Sequence, residues 1–166
     1  MNRSDRRKKA FQADSWPLSS SGQEASMKKI CVIDGQGGGI GAALIKHLKE
    51  TYGETVELIA LGTNAIATAQ MLKAGANRGA SGENAIVQTV CTADLIVGPI
   101  AITWANAMLG EVTSKMAEAI TSSPAPKALL PLTQESVLIV GVVLEPLPHM
   151  IQRLVKEIIK EVLPDV

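Results

Sequence analysis

Short apolar runs and helix-spaced apolar positions alternate along most of this chain. Ile30–Ile33 is uninterrupted, partly β-branched and closed by Asp34, the pattern of a buried strand. Ile40, Leu44 and Leu48 share one face of a helix predicted over Ile40–Tyr52, with Gly53 as its stop. Val56–Leu61 reads as the second strand and Ala65–Ala74 as the second helix, ended by Gly75. The polar, glycine-bearing stretch Ala76–Gly82 reads as a loop before a short helix, Glu83–Thr92. Asp94–Val97 is the third strand, broken by Gly98-Pro99, and a helix is expected over Ile102–Leu109. Thr113 is placed to cap a helix running to about Thr121. Lys127–Leu132 and Ser136–Val143 read as strands four and five. The last helix, Pro148–Val162, carries Ile151, Leu154, Val155, Ile158, Ile159 and Val162 on one stripe.

Alternating β and α elements with near-continuous apolar strands predict a three-layer α/β fold, Rossmann-like or flavodoxin-like, with a mostly parallel sheet. The expected strand order is 2-1-3-4. Strands four and five are separated by too few residues for a parallel crossover, so the fifth is expected as an antiparallel edge strand. In that order the turn after strand one faces Gly98-Pro99 across the switch point, where open α/β sheets bind ligands. An order of 3-2-1-4 would move the third turn away from it.

Met1–Ser26 has no such periodicity and contains Pro17 and Ser19-Ser20-Ser21-Gly22, which predicts a disordered tail. Residues 27–166 are expected to form one domain. Gln23-Glu24-Ala25-Ser26 can be encoded as CAG GAG GCN AGN, which contains AGGAGG just before the Met27 codon and has the shape of a bacterial ribosome-binding site. Translation is therefore expected to start at Met27, with the upstream residues an over-long start assignment; the alternative is a basic tail contacting RNA or an anionic partner.

Composition narrows the function classes. The aromatics are only Phe11, Trp16, Tyr52 and Trp104, so the core must be aliphatic. The chain has no net charge, but residues 1–26 carry five basic and three acidic side chains. The remainder, 11 basic against 13 acidic, is a poor non-specific nucleic-acid binder. The longest uncharged run, Leu95–Gly110, is interrupted by Gly98 and Pro99 and is too short for a membrane span. No signal-peptide core follows the basic cluster Arg6–Lys9. Cys31 and Cys91 lack metal-type spacing and are expected as buried thiols in a reducing, cytoplasmic setting.

The most informative chemistry lies between strand one and helix one, in Asp34, Gly35, Gln36, Gly37, Gly38, Gly39, Ile40 and Gly41. Residues 37–42 fit G-x-G-x-x-G/A and Gly35–Gly41 fits G-x-x-x-G-I-G. A strand that breaks into glycines and reopens as a helix offers free N–H groups and a helix dipole to an anion, without side chains in the way. A phosphate-bearing small molecule is the expected ligand, and NAD(P) or another nucleotide is the cofactor class open to it. Asp34 fits either a magnesium or ribose contact or an Asx-type turn bonding the glycine amides.

Dehydrogenation by a Tyr-x-x-x-Lys pair is excluded in its usual form, since the only tyrosine is Tyr52 and Val56 stands four residues on. No Gly-Lys-Ser/Thr follows the glycines, which excludes a P-loop. An NAD site usually has an acidic residue at the end of strand two. Here that turn is Gly62-Thr63-Asn64, and Thr63 and Asn64 could hold a ribose or a 2′-phosphate, or simply cap the helix. Arg78, Ser81 and Asn84 make a second candidate cluster, Arg78 as a cation for phosphate or carboxylate and Ser81 as a helix cap. Gly98 and Pro99 complete the candidate ligand residues. An Asn-Ala-apolar pattern recurs at Asn64, Asn84 and Asn106 near predicted helix starts, as N-caps or as polar groups converging on one crevice. His47 reads as a surface residue, and His149 and Glu145 as minor candidates. No nucleophile and base can be paired, so catalytic and metal residues are not assigned.

The runs IDGQGGGIG, ALGTNAIATAQMLKAGANRG, SGENAIV, IVGPI, ANAMLGE, MAEAI and EPLPH together resemble a family of small uncharacterised bacterial proteins with a domain of unknown function. The resemblance covers Met27 to the C-terminus. It implies a cytoplasmic Rossmann-like protein and supplies neither activity nor site residues. Two readings follow for function: a protein binding a nucleotide, dinucleotide or other phosphate-bearing molecule at the glycine turn, or a non-catalytic sensor or interaction module on the same scaffold. A homo-oligomer is left open.

Overall fold

The computed structural model describes residues 26–166. The expectations for the tail and its start site fall outside those residues. Strand β1 (Lys28–Asp34) leads to α1 (Gly39–Tyr52), β2 (Val56–Gly62), α2 (Ala65–Lys73), β3 (Arg78–Ser81) and α3 (Glu83–Thr89). There follow β4 (Leu95–Pro99), α4 (Ser114–Ser122), β5 (Lys127–Leu130) and α5 (Leu147–Arg153). A π-helical turn, Leu154–Ile158, carries α5 into α6 (Ile159–Val162). The sheet is parallel throughout, in the order β3-β2-β1-β4-β5.

Alternation along the central strand explains the layers. Ile30 and Val32 point into a cluster with Leu44, Leu48, Met71 and the C-terminal helices. Cys31 and Ile33 point the other way, towards Ile86 of α3 and Met116 and Ile120 of α4. Both faces of β1 are therefore covered, which is why its sequence is apolar without a break. Tyr52 closes the first layer by donating from its hydroxyl to the Val155 carbonyl at 2.7 Å, inside the π-helical turn. A π-turn leaves carbonyls off the regular ladder, and Tyr52 satisfies one of them.

The sheet corrects the expected topology in two places. Residues 78–81 form β3 rather than the expected loop and add an edge strand beside β2, so the full order is 3-2-1-4-5; the strands expected as 2-1-3-4 are β2-β1-β4-β5 and keep that sequence within it. All four residues of β3 are exposed, and the strand is held by backbone pairing to Ile59–Gly62. A four-residue strand with no buried face has no apolar period to read. The antiparallel edge strand is absent: residues 136–143 make no strand, and their chain bends at Gly141, with φ at 84°.

Other differences have local causes. Strand β4 runs through Gly98 and Pro99, Pro99 pairing with Leu130 at its end. Gly98 is required there, because a Cβ would sit 2.4 Å from the Ile33 carbonyl oxygen of the neighbouring strand. The expected helix at 102–109 is replaced by a 3₁₀ turn at Ile100–Thr103 and an irregular loop. Asn106, Met108, Leu109 and Gly110 all have positive φ, which an α-helix cannot contain. Asn106 donates its N–H to the Val112 carbonyl at 2.7 Å, closing the loop on itself. Cys91 is exposed, in a 3₁₀ turn, while Cys31 is buried and its thiol is pushed up to about 12 by burial. Among the described residues no helix is long and apolar enough to cross a membrane.

Candidate functional site

In this order the chain leaves β1 for β2 and β3 on one side and returns to β4 and β5 on the other. The switch point is therefore the crevice between the C-terminal ends of β1 and β4. A cavity of about 630 Å³ opens there. Asp34 to Ile40 form one wall, Pro99, Ala101 and Met108 the second, and Leu132 to Glu135 with Leu147 the third.

The glycines of the turn divide by what surrounds them. Gly38 has φ at 71°, and a Cβ would lie 2.6 Å from the Ala67 Cα in the first turn of α2. At Gly35 a Cβ would meet Met108, Thr63 and Glu111, and at Gly41 it would meet Met71 and Asp34. These three serve close packing. Gly37 and Gly39 face open space, and a Cβ at either would have nothing within 4 Å. Within the described residues their N–H groups find no hydrogen-bond partner, whereas Gly38 donates to the Gly35 carbonyl at 2.9 Å. Two unpartnered N–H groups thus lie at the N-terminus of a 14-residue helix, beside the cavity.

Asp34 is buried and fully engaged. Its Oδ1 accepts from the Gly35 N–H at 2.8 Å and its Oδ2 from the Gly41 N–H at 2.7 Å. This is the turn-forming arrangement, tying the end of β1 to the first turn of α1. Burial raises the carboxyl above its ordinary value, against the lowering effect of the Gly41, Gly35 and Ile40 amides; the Glu111 charge adds to the rise.

Glu111 has no counterpart among the sequence candidates. Its Oε2 accepts from the Gln36 N–H at 2.8 Å, from the Asn64 side-chain amide at 2.8 Å and from the Thr63 hydroxyl. One carboxylate oxygen therefore joins the glycine turn, the end of β2 and the loop before α4. The acidic group that the sequence lacks at the end of β2 arrives there from a distant loop. Burial would raise the Glu111 pKa, but the Thr63, Gln36 and Asn64 donors outweigh it and hold the group below the ordinary glutamate value of 4.5. A depressed carboxylate contributes stability that is complete above the unfolded pKa and is lost as pH falls through the folded one. The stability difference between wild type and Glu111→Gln should thus stay constant from neutrality to about pH 5.5 and shrink below about pH 4.5. Urea unfolding across a pH series checks this, and a difference growing towards acid would contradict it.

The other sequence candidates separate cleanly. Asn64 caps α2, its side chain accepting from the Ala67 N–H at 2.8 Å, and its amide also donates to the Gln36 carbonyl at 2.9 Å. Thr63 and Asn64 therefore adjoin the glycine turn through Glu111 without lining the cavity. Pro99 lines it, while Gly98 lies just behind in the β1–β4 packing. Arg78 is drawn away: it starts β3 and pairs with Glu57 at 2.7 Å. The Ser81 hydroxyl bonds the Thr68 hydroxyl at 2.7 Å, and Gly82, not Ser81, precedes α3. Asn84 lies inside the first turn of α3, and Asn106 in the irregular loop, so the three recurrent asparagines do not share a crevice. Glu145 and His149 line a separate groove at the C-terminal helix, and the His47 ring bonds the Ala43 carbonyl at 2.9 Å.

Leu132 to Glu135 are likewise missed by sequence reasoning. The Gln36 and Gln134 amides bond reciprocally at 3.4 and 3.3 Å across the cavity mouth. Glu135 accepts from the Met108 N–H at 2.9 Å and from the Thr133 hydroxyl. The signal is present as Thr-Gln-Glu between two apolar runs, but in sequence it has the form of a short hairpin turn. Among the described residues, no group of three or more His, Cys, Asp and Glu side chains is arranged to hold a metal ion.

A parallel sheet with helices on both faces, and a glycine-rich β1–α1 turn at its switch point, defines a Rossmann-like α/β protein. The chain belongs to the family described as domain of unknown function (DUF3842), whose model matches residues 29–163. No curated protein matches it. Among solved structures it is similar to one titled crystal structure of universal stress protein in complex with cAMP, at 20% identity and a TM-score of 0.38. That likeness covers 63% of this chain and 98% of the other, and at such a score it carries no argument about function.

Proposed function

We propose that this protein binds a nucleotide or dinucleotide through its phosphate at the β1–α1 turn, and that it does so as a sensor or carrier of that ligand. The observation that carries the reading is that Gly37 and Gly39, at the N-terminus of α1, both line the cavity and that their N–H groups have no hydrogen-bond partner among the described residues. Anions are favoured at such a terminus by the amides and the dipole together. The neighbouring Gln36 N–H already holds one anionic oxygen, that of Glu111.

The lining narrows the ligand class. Among the described residues it contains no Lys, Arg or His, and Asp34, Glu111 and Glu135 lie in or behind it. A triphosphate would meet carboxylates with no side-chain cation to offset them. A phosphodiester or pyrophosphodiester, carrying one charge per phosphorus, suits two amides and a helix dipole better. Ile40, Met108, Leu132 and Leu147 offer an apolar wall for a base, and Gln134 and Glu135 offer polar partners for hydroxyls. NAD(P) falls within that class. In the same lining the groups able to act as nucleophile or base are Asp34, Glu135 and Thr133, and each is already engaged, Asp34 by the Gly35 and Gly41 amides and Glu135 by the Met108 amide and the Thr133 hydroxyl. This favours binding without chemistry over an enzyme.

The reading is tested by thermal unfolding with a panel of NAD, NADP, ADP, ATP, cyclic nucleotides and inorganic phosphate. Stabilisation by diester-linked nucleotides exceeding that by ATP is expected. A flat panel near millimolar concentration would make the glycines architecture alone.

A further inference from the structure

The sequence of residues 136–144, SVLIVGVVL, has the composition of a buried strand, yet it belongs to none. Seven of its nine residues are Val, Ile or Leu, and none is charged. Leu138 is 96% exposed, Val140 98%, Val143 81% and Leu144 70%, while Val137 and Val142 are about two-fifths exposed. Globular chains rarely leave so large an apolar patch uncovered without a partner for it. The backbone is as bare as the side chains. Among the described residues its backbone bonds are Val142 N–H to the Ile139 carbonyl, within the segment, and Val137 N–H to the Glu135 carbonyl just before it.

We propose that this segment is the interface of a homodimer, in which residues 136–144 of two copies pair as antiparallel strands about a two-fold axis. Three observations select a second copy as the occupant. First, the segment is self-complementary: a two-fold contact places the same β-branched, uncharged strand on both sides and covers both patches at once. Second, the exposed area fits. The six residues named above expose on the order of 700 Å², close to the roughly 800 Å² per partner that a standard stable interface needs. Third, the segment carries none of the charges or prolines by which exposed strands usually block such pairing. Among the described residues β5 pairs only with β4, so the sheet ends in an open edge beside this segment.

Pairing has a consequence for the cavity. The segment continues directly from Thr133, Gln134 and Glu135, which form the third cavity wall and reach back to Gln36 and Met108. Ordering residues 136–144 in a dimer holds that wall in place.

The test is light scattering on the full chain after size exclusion, over loading from about 1 to about 100 µM, since association depends on concentration. Wild type is expected at the mass of two 17.5-kDa chains. Val140→Lys is expected at the mass of one, with cooperative thermal unfolding retained, because the side chain is already in solvent in the single chain. Ile66→Lys, which replaces an exposed apolar residue on α2, is expected to stay dimeric. A wild type that is monomeric throughout, or a Val140→Lys protein that remains dimeric, overturns the proposal. The nucleotide panel above is run on wild type in whatever oligomeric state it has, so failure of the dimer and failure of the nucleotide reading are seen separately.

Discussion

Gly38→Val should unfold at a temperature about 10 °C below wild type, whereas Gly39→Val should unfold within a few degrees of it. The two residues are neighbours in one motif, and only their surroundings differ. Gly38 has φ at 71°, a conformation costing a branched residue about 1–2 kcal/mol. Its Cβ would also press on the Ala67 backbone at 2.6 Å, and backbone in the first turn of α2 cannot rotate aside. Overpacking of that kind costs about 1–3 kcal/mol more. Gly39 opens α1, and a Cβ there would have nothing within 4 Å, so a side chain meets no neighbour. It projects into open space beside the amides proposed to hold phosphate. Gly39→Val should therefore abolish ligand stabilisation while keeping the fold. Thermal unfolding of both variants by circular dichroism checks the contrast, and equal destabilisation would refute it.

Gly98→Ala should lose stability and ligand binding together. Its Cβ would meet the Ile33 carbonyl oxygen at 2.4 Å and the Ile102 side chain at 3.0 Å. β1 and β4 are the strands that frame the switch point, so relief requires them to part. A loss of about 2–3 kcal/mol is expected. Pro99, next in the chain, lines the cavity and moves with the strand. Urea unfolding beside the nucleotide panel measures both effects; an alanine variant as stable as wild type would contradict the packing argument.

Much of the architecture is legible in the sequence because its signals are local. β1 is apolar on both faces, α1 has its Leu44 and Leu48 stripe and its Gly53 stop, and Thr113 caps α4 by accepting from the Met116 N–H. The glycine turn is legible for the same reason, since a strand, a turn and a helix follow one another in the chain. The failures are elements defined by something distant. β3 exists through backbone pairing with β2 and has no buried side chain to announce it. Residues 136–143 have a strand's composition but pair with no strand among the described residues.

The candidate site divides in the same way. Asp34 and the glycines are visible as a contiguous motif. Glu111 is not, because 75 residues separate it from Gln36 and the residues before it have a helix-like pattern. Its one local sign is Gly110, whose positive φ ends any helix before Glu111. Arg78 looks like a phosphate ligand in a polar loop, but the strand it begins turns it towards Glu57. Which cation meets which anion is decided by strand register, which no short motif records.

The most direct test is isothermal titration of wild type and Gly39→Val with the panel's best stabilising nucleotide. Saturable binding to wild type at one site per chain, lost in a Gly39→Val protein of unchanged fold, is the expected result. Equal affinity for both proteins would contradict it, because the ligand would then bind somewhere other than the open amides at the start of α1.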